Sequence, residues 1–306
     1  MGGIVILGVF VADTAYRAAR QPRMGETLLG QSFALGPGGK GSNQAVACGR
    51  LGAEVAFITR LGQDPFAEMA RQTWGAAGVT PVVTEDADSY TGAAFIFVDA
   101  ASGDNAIIIA PGAAARIGPE DIEAEAARLG AANVFVTQLE QPLPAALRAL
   151  ELARAGGATT ILNPAPAAPL PAGMLGFCDW VTPNEAEAET LTGIAVADEA
   201  GAKRAAERLV ADGAGGVVVT LGARGAYLHT PAMSEVIPAF TAGPVVETTG
   251  AGDAFNGGFA TALAGGAAPR DAVRFGCATA AISVTRAGAA ASMPTAAEVA
   301  ALLAAP

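Results

Sequence analysis

Short apolar runs alternate with helix-compatible stretches along most of the chain, and this alternation restricts the accessible folds more than any other feature. Ile4 to Val9 is continuous apolar sequence, and Ala56 to Arg60, Val134 to Thr137, Thr159 to Leu162 and Val217 to Leu221 read likewise. Such runs suit strands buried on both faces. Helical stretches fall between them around Asp64 to Ala77, Pro119 to Leu129, Pro144 to Ala155 and Asp198 to Ala211, and Asp64-Pro65 supplies an N-cap and first-turn pair. The pattern predicts an α/β fold: a doubly wound, mostly parallel sheet with helices on both faces.

Two regions depart from the alternation. Residues 12–34 and 90–109 read as short strands without helices, and Thr91 to Val98 with Asn105 to Ile109 predict a hairpin around Ala100-Ala101-Ser102-Gly103-Asp104. The C-terminal part is Ala-rich and mostly helical, with apolar periodicity through Val273, Phe275, Ala278 and Ile282. A length of 306 residues accommodates one large α/β domain or two smaller ones, and a 52% hydrophobic content supplies a sizeable core.

Charge and cysteine usage narrow the function classes. With 18 basic and 29 acidic residues the net charge is −11, which argues against a nucleic-acid or anionic-membrane surface while allowing a local phosphate site. No apolar segment approaches the roughly 18 residues of a membrane span, and no basic segment leads a signal-like core. Cys48, Cys178 and Cys277 are widely spaced and read as buried small apolar residues in a reducing cytoplasm. His229 is the sole histidine, which disfavours His-dependent triads and His-rich metal sites.

The stretch Glu247-Thr248-Thr249-Gly250-Ala251-Gly252-Asp253-Ala254-Phe255-Asn256-Gly257-Gly258 runs from polar extended sequence through a Gly-Ala-Gly turn into a helix. That order leaves backbone N–H groups free at a helix N-terminus, where they face an anion. A carboxylate beside an anion cradle suits a base that takes a proton from a hydroxyl while the N–H groups stabilise a transferring phosphoryl group. The same residues also suit an ordinary helix cap.

A second glycine cluster, Gly36-Pro37-Gly38-Gly39-Lys40-Gly41-Ser42-Asn43-Gln44-Ala45, is rich in donors suited to hydroxyls. It is not a P-loop: Gly41 follows Lys40 where Ser or Thr is required, and Ala34 stands where the first glycine belongs. Gly36, Gly38 and Gly41 fit G-x-G-x-x-G, but not after a first strand, so a dinucleotide-binding oxidoreductase is disfavoured; a plain Gly-rich turn is the simpler alternative.

Together these two signatures resemble the PfkB family of sugar and nucleoside kinases, and within it the ribokinase branch. Further segments fall in the same order over essentially the whole chain: Gln138-Leu139-Glu140, Asn163-Pro164-Ala165-Pro166, Thr182-Pro183-Asn184-Glu185-Ala186-Glu187 and Thr220-Leu221-Gly222-Ala223-Arg224-Gly225. The resemblance implies a single ribokinase-like domain in which the two helix-free regions form a β-sheet lid over the sugar, with homodimer formation through that lid. It implies an ATP-dependent sugar kinase acting on a primary hydroxyl, with D-ribose giving ribose 5-phosphate as the leading substrate. Fructokinase, ketodeoxygluconate kinase and nucleoside kinase activities stand as alternatives, as does a non-catalytic sugar- or nucleotide-binding protein.

The resemblance also distributes roles. Asp253 matches the base and Gly250, Ala251, Gly252 and Asp253 the anion hole. Val11, Asp13, Gly39, Lys40, Gly41, Asn43 and Glu140 match sugar-binding positions. Asn184, Glu187, Thr220, Gly222, Gly225, Gly252 and Cys277 match the ATP site, with Asn184 and Glu187 near magnesium-bound phosphates. Glu247, Thr249, Ser283, Arg286, Gly288 and Ser292 match a potassium site. Three residues depart from the pattern: Glu247 replaces the usual Asp, Cys277 a polar residue, and Val11 an Asn that bonds the sugar. Losing a buried hydrogen-bond partner costs roughly 1–3 kcal/mol and alters selectivity.

Overall fold

Alternate residues of Ile4–Leu7 enter two different apolar clusters, Val5 and Leu7 on one side and Ile4 and Ile6 on the other, so the first strand is buried on both faces. A computed structural model describes residues 3–305. In chain order the strands are β1 Ile4–Leu7, β2 Val11–Ala18, β3 Ser32–Gly38, β4 Val55–Leu61, β5 Val79–Glu85, β6 Thr91–Asp99, β7 Asn105–Gly112, β8 Val134–Thr137, β9 Thr159–Leu162, β10 Trp180–Val181, β11 Gly216–Thr220, β12 Ala226–Thr230 and β13 Met233–Ile237. The helices are α1 Lys40–Arg50, α2 Pro65–Ala77, α3 Pro119–Ala124, α4 Ala126–Gly130, α5 Leu143–Ala155, α6 Glu185–Thr192, α7 Glu199–Ala211, α8 Ala251–Ala264, α9 Pro269–Ser283 and α10 Ala296–Ala304.

Nine strands form the main sheet in the order β13-β12-β11-β10-β9-β8-β1-β4-β5. Pairing is parallel from β5 to β11, and only the β11–β12 and β12–β13 pairs are antiparallel, so β12 alone runs against the others. Helices cover both faces, so the predicted doubly wound, mostly parallel fold is what forms. Each fully buried Ile or Leu on these strands contributes about 1.5–3 kcal/mol. The predicted helix over Pro119 to Leu129 is broken into α3 and α4. At the break the Glu125 N–H turns back to the Ile122 carbonyl, a tighter turn than the α-helix makes.

The two regions without helices pair into a second sheet, β3-β2-β6-β7. Its strands extend past the expected limits: β3 runs to Gly38 and β7 to Gly112, so Gly36, Pro37 and Gly38 are strand rather than turn. Pro37 and Pro111 are tolerated because β3 and β7 are the edges. The small sheet is fastened at its base. Asp64 caps α2 by accepting from the Phe66 and Ala67 N–H groups, and its other oxygen accepts from the Thr91 N–H at 2.7 Å. Nearby, Asp86 is 4% exposed and meets Arg116 at 2.8 Å and the Arg60 Nε at 3.2 Å, while Arg60 also reaches Asp121 at 3.2 Å.

Candidate active site

α8 begins where the chain can turn left-handed. Gly250 has φ 79°, a conformation that any Cβ would strain, and the Ala251 N–H closes the turn on the Thr248 carbonyl at 3.1 Å. The N–H groups of Gly250, Gly252 and Asp253 have no partner among the described residues. Of the four expected anion-binding donors, the Ala251 N–H is the one engaged within the turn. The other three remain at the positive end of the helix dipole.

Asp253 follows in the first turn of α8 and is 7% exposed. Its Oδ2 accepts from Asn43 Nδ2 at 2.9 Å and its Oδ1 from Gln44 Nε2 at 3.1 Å. Burial raises its proton affinity, while the Lys40 charge and the two amide donors pull it back. The donors come from α1, which starts at Gly39 and packs on α8. The start of α1 also lies hard against β1: a Cβ added at Gly41 would fall 2.7 Å from the Gly8 Cα, and one at Gly8 2.7 Å from the Gly41 Cα.

Two more carboxylates share this space. Glu140, just beyond β8, accepts from the Lys40 N–H at 2.8 Å. Burial pushes it up to about 7; the Lys40 N–H and charge oppose that, and the negative charges of Asp253 and Asp13 add to it. Asp13, on β2, is pushed up to about 6 by burial. Its carboxylate lies over Gly38, where an added Cβ would fall 2.2 Å from Oδ2. The Lys40 charge acts on Asp253 and Glu140, and Asp13 adds a negative charge felt by Glu140, a set of buried carboxylates that hydroxyl donors would relieve. Val11 sits two residues before Asp13, paired with Gly38, and is 5% exposed.

The expected nucleotide residues lie at the ends of β10 and β11. Asn184 forms a bridge with Thr220, bringing the N-x-x-E segment beside the Thr220–Gly225 loop. Asn184 and Glu187 also cap α6 reciprocally, each bond 2.8 Å. Glu187 Oε1 accepts nothing from the described residues, and burial, opposed by the Lys40 charge, raises its proton affinity. Gly222 is exposed and Gly225 buried. Cys277 is 7% exposed within an apolar cluster that includes Phe255 and Phe259, which leaves it little surface for a nucleotide.

The potassium-site candidates converge as well. Glu247 Oε2 accepts from the Gly288 N–H at 2.8 Å, so the longer Glu arm is accommodated. Val246 and Glu247 donate to the Val284 carbonyl, Ser283 and Ser292 are buried, and the Arg286 guanidinium is occupied by Glu298. Neither the Glu247 Oε1 nor the Thr249, Arg286 and Gly288 carbonyls accept a hydrogen bond from the described residues. An oxygen-only donor set of this kind fits a hard cation.

Sequence reasoning missed the amides and hydroxyls beneath the site. Gln138, Asn163 and Thr182 are the first residues after β8, β9 and β10, three neighbouring parallel strands, and that shared position was the available signal. Asn163 Nδ2 donates to the Thr182 carbonyl at 2.9 Å, Thr182 Oγ1 to Asn256 at 2.6 Å, and Asn256 Nδ2 to the Gly252 carbonyl at 2.8 Å.

Known proteins resemble the chain throughout. Residues 1–296 match the model of the pfkB family of carbohydrate kinases. A ribokinase of Haemophilus influenzae is 40% identical over 293 residues, 95% of each chain. A deoxyribokinase of Salmonella typhi is 36% identical over 294 residues, again 95% of each. The structure of Arabidopsis thaliana ribokinase complexed with ribose and ATP superposes with a TM-score of 0.92 at 29% identity, covering 100% of this chain and 99% of that one.

Proposed function

The chain belongs to the pfkB family of carbohydrate kinases, and on that premise we propose that it transfers the γ-phosphoryl group of ATP to a primary hydroxyl of D-ribose, giving ribose 5-phosphate. The observation that carries this reading is the buried Asp253 carboxylate in the first turn of α8, beside three unpartnered N–H groups. Asp253 takes the proton of the attacking hydroxyl, the hydroxyl oxygen bonds to the γ-phosphorus, and ADP leaves as its bridging bond breaks. The N–H groups of Gly250, Gly252 and Asp253 face the charge on the transferring group. Asp13, Lys40, Asn43 and Glu140 orient the sugar. Magnesium bound with ATP would neutralise phosphate charge, and Glu187 with Asn184 would hold it through water; potassium would sit among the oxygens at Glu247 and Gly288.

A second reading, 2-deoxyribose, is favoured by Val11. An apolar side chain beside Asp13 offers no hydrogen bond to a hydroxyl, and a deoxyribokinase is among the relatives. ADP release with ATP, magnesium and potassium should be measured across ribose, 2-deoxyribose, fructose, ketodeoxygluconate and nucleosides, with Asp253→Asn as control. Highest kcat/KM on ribose, lost in the variant, supports the first reading. Highest kcat/KM on 2-deoxyribose supports the second, and turnover that survives in Asp253→Asn sinks both.

The small sheet serves as the lid, excluding water from the phosphoryl acceptor. Its apolar surface, with Phe33 58%, Ile108 69% and Ile109 57% exposed, supports pairing of two lids in a homodimer, which light scattering would test. Among the described residues no helix is long and apolar enough to cross a membrane. Three free, buried cysteines agree with a cytoplasmic setting.

A further inference from the structure

Gln44 takes no part in the roles assigned so far, yet every polar atom of its amide is engaged. Its Nε2 donates to Asp253 Oδ1 and to Asn163 Oδ1, both at 3.1 Å, and its Oε1 accepts from Gln138 Nε2 at 2.7 Å. The residue is fully buried, and so is Gln138. The direction of these bonds is dictated by Asp253: a carboxylate only accepts, so Gln44 must present its nitrogen there and its oxygen to Gln138. Gln138 must then present its own nitrogen, which leaves its Oε1 against the Gly8 and Gly41 backbone with no donor among the described residues. A buried acceptor without a donor is costly, and the arrangement accepts that cost to keep a donor on Asp253.

We propose that Gln44, supported by Gln138, is a positioning residue that fixes the Asp253 carboxylate in the orientation and charge state needed to accept the sugar proton. Through Asn163, the same amide connects with Thr182, which donates to Asn256, and Asn256 holds the Gly252 carbonyl. Gln44 thus ties the base to the turn that presents the phosphate-facing N–H groups. This inference rests on Asp253 being the base.

The charged groups facing Asp253 are Lys40 on α1, Glu140 beyond β8 and Glu187 on α6, with Asp13 of β2 acting on Glu140. None of them is altered by a change at Gln44. A hydrogen bond donated to a carboxylate favours its charged form, so removing the donor raises the pH at which the base becomes protonated.

The test is the pH dependence of kcat/KM for Gln44→Met and Gln138→Met, with Asp253→Asn alongside. Gln44→Met should shift the acid limb upward by about one pH unit and lower kcat about tenfold or more, with the sugar KM nearly unchanged. Gln138→Met, which frees Gln44 to rotate, should shift the limb the same way by less. If Gln44→Met does not fold, the Gln138→Met limb decides alone. An acid limb that stays at its wild-type position in the folded variants, whatever the loss of Tm, overturns the proposal. Retained turnover in Asp253→Asn would instead overturn the assignment of the base.

Discussion

Lys40 and Glu140 lie 100 residues apart in sequence and are joined by a 2.8 Å hydrogen bond from the Lys40 N–H to the Glu140 carboxylate. The bond does not offset burial, since Glu140 rises from an ordinary 4.5 to about 7. Its neutral form is therefore the one the fold prefers. The stability linked to that preference is complete below pH 4.5 and is lost as pH rises through about 7.

Glu140→Gln should remove this dependence. Its stability relative to wild type is expected to grow between pH 4.5 and about 7 and then level off, at about 1–3 kcal/mol by the free energy of one pKa unit. Urea denaturation of the ligand-free protein at several pH values measures it, and a gap independent of pH would refute it.

Gly252 offers a test of the anion cradle that separates binding from folding. It lies in α8 with nothing within 4 Å of an added Cβ, and its φ is not positive. Gly252→Ala should leave Tm within about 2 °C, since helical Ala is no worse than Gly. Turnover should fall by about 10²-fold, the cost of displacing the transferring group by about 1 Å, because the N–H stays while the added Cβ stands in the phosphate's path. Unchanged kcat/KM for ATP would show that no phosphate approaches this turn.

Asp86 bears on how the small sheet is seated. Asp86→Ala leaves Arg60 with Asp121 alone and Arg116 with no carboxylate. Stability should drop by about 3 kcal/mol, the low end for breaking a buried ion pair. Thermal unfolding checks the magnitude. Hydrogen exchange should show the greatest loss of protection in β6 and β7, which this cluster adjoins.

Replacing potassium with tetramethylammonium should lower turnover, because the proposed site around Glu247 and Gly288 takes a small hard cation and would be left without one. Potassium titration followed by ADP release gives the affinity. Turnover that ignores the cation would leave Glu247 a structural acceptor for the Gly288 N–H.

Strands buried on both faces were legible because composition alone marks them: β8 and β9 begin and end where their apolar runs do. The small sheet was legible in outline but not in extent, since Gly36, Pro37 and Gly38 have turn-forming composition and only their pairing with Val11–Asp13 makes them strand. Asp253 and Asn43 could be named from motifs. Gln44 could not be given a role, because its partners Asn163 and Gln138 come from separate strands and no local pattern joins them. The bond from the Ala251 N–H to the Thr248 carbonyl was not legible either, because a turn that engages one donor looks, in sequence, like a turn that offers all of them.

The contact between Gly8 and Gly41 has an evolutionary consequence. Neither α-carbon can acquire a side chain without moving α1 off β1, and Asn43 and Gln44 would move with it. Mutational drift is therefore blocked at both positions, and no single codon change at one can be rescued at the other. Val11 lies only three residues beyond Gly8, buried in the apolar cluster with Val9 and Ala94, and it carries no polar bond to Asp253. On the proposed assignment of Val11 to the sugar pocket, a conservative change there would alter the preferred sugar while leaving the contact between Gly8 and Gly41, and the Asn43 and Gln44 it positions, in place.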